Sequence, residues 1–145
     1  MHAYEYEKPL HEVPGAIGVL KSRDFNRFNN SSLLPVMNSI AGVRMEERSP
    51  GSYRLSIRGS TLRSPFGVRN VKIYWNDLPL TDPGGNTYLN LIDFNAIEQA
   101  EVIKGPGSSL YGAGTGGVVL LKSPSAIYNQ QKISMSQVSG SFGLN

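Results

Sequence analysis

GAGTGG, from Gly112 to Gly117, is the part of this sequence closest to a recognised chemical motif. It fits G-x-G-x-x-G, the glycine pattern that lets a backbone close on a pyrophosphate. It ends a longer run, GPGSSLYGAGTGG from Gly105, which holds six of the chain's 16 glycines. A dinucleotide site needs a helix directly after the glycines and an acidic residue about 20 positions further on. Here the glycines lead into VVLL, an apolar and β-branched segment that reads as a strand, and no such acid follows. The P-loop pattern also fails, because neither Lys-Ser nor Lys-Thr follows the glycines. The run is better explained by geometry. Glycine permits φ > 0 and close backbone approach, so it can fold a compact loop between two strands, AEVIK and VVLLK.

No other grouping of residues composes an active site. His2 and His11, the only histidines, stand in or beside a polar arm without spacing for a metal or a triad. Asp77, Asp82 and Asp93 lack the spacing of a calcium loop, and Asp82 before Pro83-Gly84-Gly85 reads as a turn residue. Ser108 and Ser109 have neither a G-x-S-x-G frame nor a nearby base. With no cysteine, thiolate metal sites, Cys nucleophiles and disulfides are all excluded. The expectation is therefore a protein without catalytic residues, metal or cofactor, and not an enzyme.

The composition bounds the rest. At 145 residues the chain is one domain's worth, with 39% hydrophobic and 17% charged residues. Gly, Pro, Ser and Asn make up the balance, which implies many turns and irregular loops. The net charge of +3 comes with arginines scattered singly (Arg44, Arg48, Arg54, Arg58, Arg63, Arg69) rather than massed as nucleic-acid binders mass them. The opening MHAYEYEKPLHEVPG is too polar for the core of a signal peptide, and no stretch approaches the roughly 20 apolar residues of a membrane helix.

Positioning elements follow from the periodicity. Residues 1–12 read as a flexible arm, 13–124 as the folded domain, and 125–145 as a linker leading into a further strand. AIGVL is a short strand after the Pro14-Gly15 turn. Ser22 caps a short helix, RDFNRF, and Ser32 caps a second, LLPVMNSIA, with Leu33, Met37 and Ile40 on one buried stripe and Gly42 as the stop. YRLSIRG alternates Tyr53, Leu55 and Ile57 against Arg54, Ser56 and Arg58. VKIYW alternates likewise, and Asn76-Asp77 turns it into LPL. The long segments STLRSPFGVRN and LTDPGGNTY read as functional loops. NLIDFNAIE suggests helical turns. In the tail KISMSQVSGSFGLN a weak alternation through Ile133 and Met135 reads as a strand whose partners lie outside this chain.

Charges cluster at strand ends. Arg58 and Lys104 each precede a glycine, Gly59 and Gly105, and Glu98 and Glu101 lie just upstream of Lys104. The two basic groups can pair with carboxylates on another surface, or stand as ordinary exposed charges.

In this order the segments EKPLHEVPGAIGVLKSRDF, LLPVMNSIAGV, YRLSIRG, VKIYWNDLPL and IEQAEVIKGPGSSLYGAGTGGVVLLKS resemble the plug domain of TonB-dependent outer-membrane receptors, over about residues 8–123. The resemblance implies an α+β plug fold, a small mixed sheet with short helices and long apex loops, seated inside a barrel of about 22 strands. It implies a gate that occludes the lumen, contributes to binding of an extracellular ligand (a ferric siderophore, ferric citrate or other iron chelate, haem or cobalamin), and is remodelled when TonB pulls on an N-terminal box. The implied partners are the receptor's own barrel, TonB and the ligand, and the implied location is the outer membrane of a Gram-negative cell, with the N-terminus facing the periplasm. Arg58 matches the Arg of the family's Arg-Gly, Glu101 matches its Glu, and Lys104 stands where an Arg is usual, so a looser plug–barrel charge cluster of Arg58, Glu98, Glu101 and Lys104 is implied. The apex loops implied are 60–69, 82–88 and the Tyr111-Gly112 turn, with Arg63, Arg69, Asn86, Tyr88 and Tyr111 as ligand contacts. Gly59, Gly105, Gly112 and Gly117 are the implied structural glycines. The chain opens about where a TonB box should end, and nearly all of a barrel is missing, so it reads as a plug cut from a longer protein, with strand faces left solvated where a barrel would cover them. The alternative is a free-standing periplasmic ligand-binding or adaptor domain reusing the same fold.

Overall fold

A computed structural model describes residues 12, 15–28, 32–60, 68–105, 107–112, 116–129, 131, 133, 135, 137, 140 and 141. Among the described residues seven strands form two sheets. The larger has the order β1 (Ile17–Leu20), β6 (Gln99–Lys104), β7 (Gly117–Lys122), β4 (Val71–Trp75), β5 (Leu78–Pro79). The smaller pairs β2 (Val43–Ser49) with β3 (Ser52–Ile57). In the larger sheet β4 runs parallel to β7, and every other pairing is antiparallel. The sheet is therefore mixed, as expected.

The central strand explains the apolar run VVLL. β7 has neighbours on both edges, and Gly117 to Leu121 are all buried. Residues of one parity, Val119 and Leu121, join the main core with Ala100, Val102 and Ile73. Those of the other parity, Val118 and Leu120, form a second apolar cluster with Ile103 and Tyr111, flanked by Ile17 and Tyr74. Both faces of β7 and of the middle of β6 are thus covered within this chain, so the expected solvated faces are not on these two strands; the outward face of β2 is exposed. A strand buried on both faces has no reason to alternate.

The main core is closed by the second sheet and two one-turn helices. β2 was not anticipated. Only Val43 and Met45 point inward along it, and four exposed residues follow them, so its alternation is too short to read. Its partner β3 alternates throughout, with Tyr53, Leu55 and Ile57 buried. Helix α1 spans Ser22–Phe25, with Lys21 rather than Ser22 at its N-cap, and it buries Phe25. Helix α2 spans Leu34–Met37 with Pro35 in its first turn, where its missing N–H is harmless. The Ser32 hydroxyl accepts from the Leu34 N–H at 3.1 Å, and Leu33, Met37 and Ile40 are buried as expected. Gly42, at φ +77°, ends the turn that follows. NLIDFNAIE forms two 3-10 turns, Leu89–Leu91 and Phe94–Ala96.

The β4–β5 connection is a two-residue turn with Asn76 and Asp77 both in the left-handed region, at φ +49° and +67°. It is fastened to the end of β7. Ser123 Oγ accepts from Trp75 Nε1 at 2.9 Å and Asn76 Nδ2 at 3.1 Å, while the Ser123 N–H donates to Asn76 Oδ1 at 2.9 Å. Beyond Ser123 no strand occurs among the described residues, and Ile133 and Met135 are over nine-tenths exposed.

Candidate functional site

Strand directions gather the loops at one end of the larger sheet. β3 and β6 finish there, and β4 and β7 begin there, with Val71 opposite Gly117 and Lys104 opposite Gly117. The opposite end carries the Asn76-Asp77 turn, Ser123 and Glu98.

At the loop end, two of the expected contact residues meet directly. Val68 and Thr87 form an antiparallel bridge, with N–H···O distances of 2.8 and 2.9 Å in the two directions. Arg69 and Asn86 are the adjacent pair, and Arg69 Nε donates to Asn86 Oδ1 at 2.6 Å. Asn86 is held in turn by a self-closed loop. The Asp82 carboxylate accepts from the Asn86 N–H at 2.8 Å, the Asp82 N–H donates to the Asn86 carbonyl at 2.8 Å, and Gly85 turns at φ +83°. Asp82 is therefore a turn residue, as its sequence context suggests. Beneath it Thr87 is fully buried, its hydroxyl 2.8 Å from that of Thr81, which also accepts from the Ile73 N–H. The loop is thereby tied to β4. This support was not anticipated, because a lone threonine between loop residues gives no signal in sequence.

Tyr88 follows Thr87 and is 42% exposed, and Leu91 beyond it is 76% exposed. The combination offers the terminal nitrogens of one oriented guanidinium, an amide and an exposed phenol on a braced frame. These groups suit a polar or anionic ligand and supply no nucleophile or proton-transfer pair. Arg63 lies outside the described residues. Tyr111 sits differently from expectation. Its side chain is buried, its ring meets Tyr74 edge-on at 5.6 Å, and its carbonyl accepts from the Tyr74 hydroxyl at 3.0 Å. Tyr111 packs the second apolar cluster and does not present its ring to solvent.

The four charged residues expected as one cluster are divided by the fold. Arg58 and Lys104 do share the loop end. Arg58 adopts φ +53°, its N–H donates to the Gly42 carbonyl at 2.7 Å, and its guanidinium lies beside Gly105. Lys104 Nζ donates to the Ala41 carbonyl at 2.7 Å. Glu98 is at the far end of β6, where Ser22 Oγ lies 3.5 Å from its carboxylate and 3.4 Å from its carbonyl. Glu101 is an odd number of positions from Lys104, so the two leave opposite faces of β6. It is 1% exposed and accepts from Gln99 Nε2 at 2.6 Å, so its carboxylate is not on the surface.

The glycine run contains a short helix, α3 (Ser108–Tyr111), which was not expected, with Gly112 at φ +75° as its C-cap. A strand, β7, follows the run, so the geometric reading of the glycines stands on its context. Gly117 is at φ +145°, and a Cβ there would land on the Ile103 carbonyl and within 2.9 Å of Ile57 Cδ1. Gly59 and Gly105 also lie at positive φ, at +79° and +130°.

Comparison with known proteins bears on what this frame is for. The family described as TonB-dependent Receptor Plug Domain matches residues 9–119. Two curated relatives are the vitamin B12 transporter BtuB of Vibrio vulnificus strain CMCP6, 29% identical over 113 residues, and that of strain YJ016, 28% identical over 125 residues. The matches cover 77% and 83% of this chain but only 18% and 19% of those proteins, so the chain spans about a fifth of their length. Among solved structures, the pyoverdine-bound FpvA of Pseudomonas aeruginosa superposes with a TM-score of 0.63 at 19% identity, over 80% of this chain and 15% of that one. The ferric yersiniabactin uptake receptor FyuA of Yersinia pestis gives 0.62 at 16% identity, over 77% of this chain and 17% of that one. At such identities the likeness carries the fold. Nothing in these matches favours a free-standing binding or adaptor domain.

Proposed function

Because the chain belongs to the plug-domain family of TonB-dependent receptors, we propose that it gates an outer-membrane receptor barrel and helps to bind the nutrient that the receptor imports. The observation that carries this is the family match across residues 9–119, which takes in β1, β4, β5 and β6 of the larger sheet and the first half of β7. The partners in this reading are the receptor's own barrel, TonB acting on a segment N-terminal to β1, and an extracellular ligand. The N-terminus faces the periplasm. Residues 125–145 are read as the linker and the start of the first barrel strand, in keeping with the exposed Ile133 and Met135. A large barrel has an aqueous lumen unless it is filled, so the protein's task here is steric occlusion and regulated release. No step of this reading requires bond chemistry.

The ligand contact is assigned to Arg69, Asn86 and Tyr88, with Arg63 on the same loop. A guanidinium oriented by an amide recognises an anionic chelate through charge-assisted hydrogen bonds. The class of ligand follows from that chemistry: an iron chelate with carboxylate, catecholate or similar oxygen groups. Uptake by the full-length receptor in a strain lacking its own copy tests both parts. Deleting residues 16–122 should open the lumen and admit bulky antibiotics, and a deletion that left permeability unchanged would refute the gate. Arg69→Ala should weaken ligand binding by about tenfold while leaving the fold intact. Unchanged binding would remove Arg69 from the site.

A further inference from the structure

The outward pair at the loop end, Arg69 and Asn86, is set by residues that never reach the surface. Val68 and Thr87 exchange both backbone hydrogen bonds, so they form the hydrogen-bonded pair of a one-step antiparallel ladder. They are 1% and 0% exposed, so their side chains point inward. The adjacent pair, Arg69 and Asn86, therefore points the other way. A pair of this second kind has Cα atoms about 4.5 Å apart, close enough for the side chains to bond directly.

Both members are anchored to the larger sheet. On one side, Asn70 adopts φ +65° and its carbonyl accepts from the Gly116 N–H at 2.9 Å, which ties the residue after Arg69 to the start of β7. On the other side, Thr81 and Thr87 stand at the two ends of the loop that holds Asn86, and their hydroxyls lie 2.8 Å apart. Thr81 Oγ1 also accepts from the Ile73 N–H of β4 at 3.2 Å. Thr87 is fully buried, so water does not replace a partner lost there. The brace has a chemical consequence. Asn86 Oδ1 is occupied by Arg69 Nε at 2.6 Å. An amide keeps its acceptor on one atom and its donors on the other. What Asn86 has left for a ligand is the N–H₂ of Nδ2, beside the N–H groups on the terminal nitrogens of Arg69. The pair thus presents donors only.

We propose that Thr87, held by Thr81, is a positioning residue for ligand selection: it keeps Asn86 Oδ1 on Arg69, so that the pair shows only N–H donors and selects a ligand edge made only of oxygen acceptors. This role rests on the ligand contact assigned to Arg69 and Asn86 above. The selection works by polarity. A chelate presenting carboxylate or catecholate oxygens meets a donor at each of them. A ligand edge with an N–H or O–H of its own faces a donor, with no acceptor to receive it. Loosening the brace frees the amide to turn over and offer its carbonyl, which ends the discrimination.

The test is side-chain NMR of the 145-residue chain. The Arg69 Nε–H should exchange slowly with solvent, because it is bonded to Asn86. Thr87→Val, close in shape but without the hydroxyl, should speed that exchange by about threefold to tenfold, the factor that one neutral hydrogen bond is worth, and Thr87→Ser should restore it. Ser123→Ala removes a hydrogen-bond acceptor at the opposite end of the sheet and should leave the Arg69 signal unchanged, which separates lost positioning from a general loss of stability. Exchange as slow in Thr87→Val as in the parent, or equally fast in Ser123→Ala, would overturn the brace. If Thr87→Val does not fold, Thr81→Ala opens the same hydroxyl pair from its half-buried side and carries the same expectation. Gallium(III) citrate, a diamagnetic carboxylate chelate, then tests the contact. Saturable shifts are expected at the Arg69 Nε–H and at Asn86 Nδ2, with affinity weakened about threefold to tenfold by Thr87→Val. Slow Arg69 exchange without any citrate-dependent shift would overturn the ligand contact, and the selection with it. Shifts at Arg69 with Asn86 Nδ2 silent would overturn the donor-only edge. Equal affinity in the parent and in Thr87→Val would overturn the positioning role alone.

Discussion

Gly117→Ala is the substitution for which the structure gives the sharpest expectation. Two costs add at this position. The backbone is at φ +145°, a region that L-residues rarely enter, and holding alanine there costs about 1–3 kcal/mol. The new Cβ also falls on the Ile103 carbonyl oxygen, in the strand that pairs with β7, and near Ile57 Cδ1. A backbone oxygen cannot rotate away, so β6 and β7 must separate locally, an overpacking cost of about 1–3 kcal/mol. The sum, about 2–6 kcal/mol, is a large part of a typical stability of about 5–15 kcal/mol. Gly112 supplies the control. It is at φ +75°, but nothing lies within 4 Å of its Cβ position, so Gly112→Ala should carry the backbone cost alone. Urea unfolding, followed through the single tryptophan, Trp75, reads both. The expected result is a midpoint for Gly117→Ala well below that of Gly112→Ala, with equal slopes. If the two variants lost the same stability, the close approach at Gly117 would not be what the glycine serves, and the geometric reading of the run would fail.

Two further outcomes follow from the latch at the opposite end. Ser123→Ala removes the acceptor shared by Trp75 Nε1 and Asn76 Nδ2, so stability should fall by about 1–2 kcal/mol, with a shift in tryptophan emission that a remote surface serine would not give. Asp77→Gly relieves a left-handed non-glycine residue whose nearest charge, Lys122, is 4.0 Å away and exposed to solvent screening, so thermal unfolding should show stability held or raised by up to about 1 kcal/mol. A clear loss in the second case would mean that the turn is not governed by φ.

Much of this fold is legible in the residues. β3 and β4 show period-two alternation because one face of each meets the core, and Asn76-Asp77 is a turn that only a few residue pairs make well. β6 and β7 are visible as apolar runs, but their pairing order is not, since a run buried on both faces carries no register. β2 is lost because the core claims only Val43 and Met45 from it. At the candidate site, sequence places Arg69 and Asn86 on separate loops, and only the Val68–Thr87 bridge brings them within hydrogen-bond distance. The division of Glu101 from Lys104 was legible and was missed: three positions along a strand is an odd number, and odd separations face apart.

The pairing of β1 with β6 sets an order of events in time. Ile17 pairs with Ile103, roughly 85 positions along the chain, and Val71 pairs with Gly117, roughly 45 positions away. Closing such long loops is slow, because their entropy is lost before their contacts form. A chain that emerges from its N-terminus therefore presents β1 long before β6 exists to receive it. The β2–β3 hairpin, whose strands are consecutive, can form early and wait. The first strand made is then among the last to be placed, and until it docks, the edge of β6 stays open to any other extended segment that reaches it first.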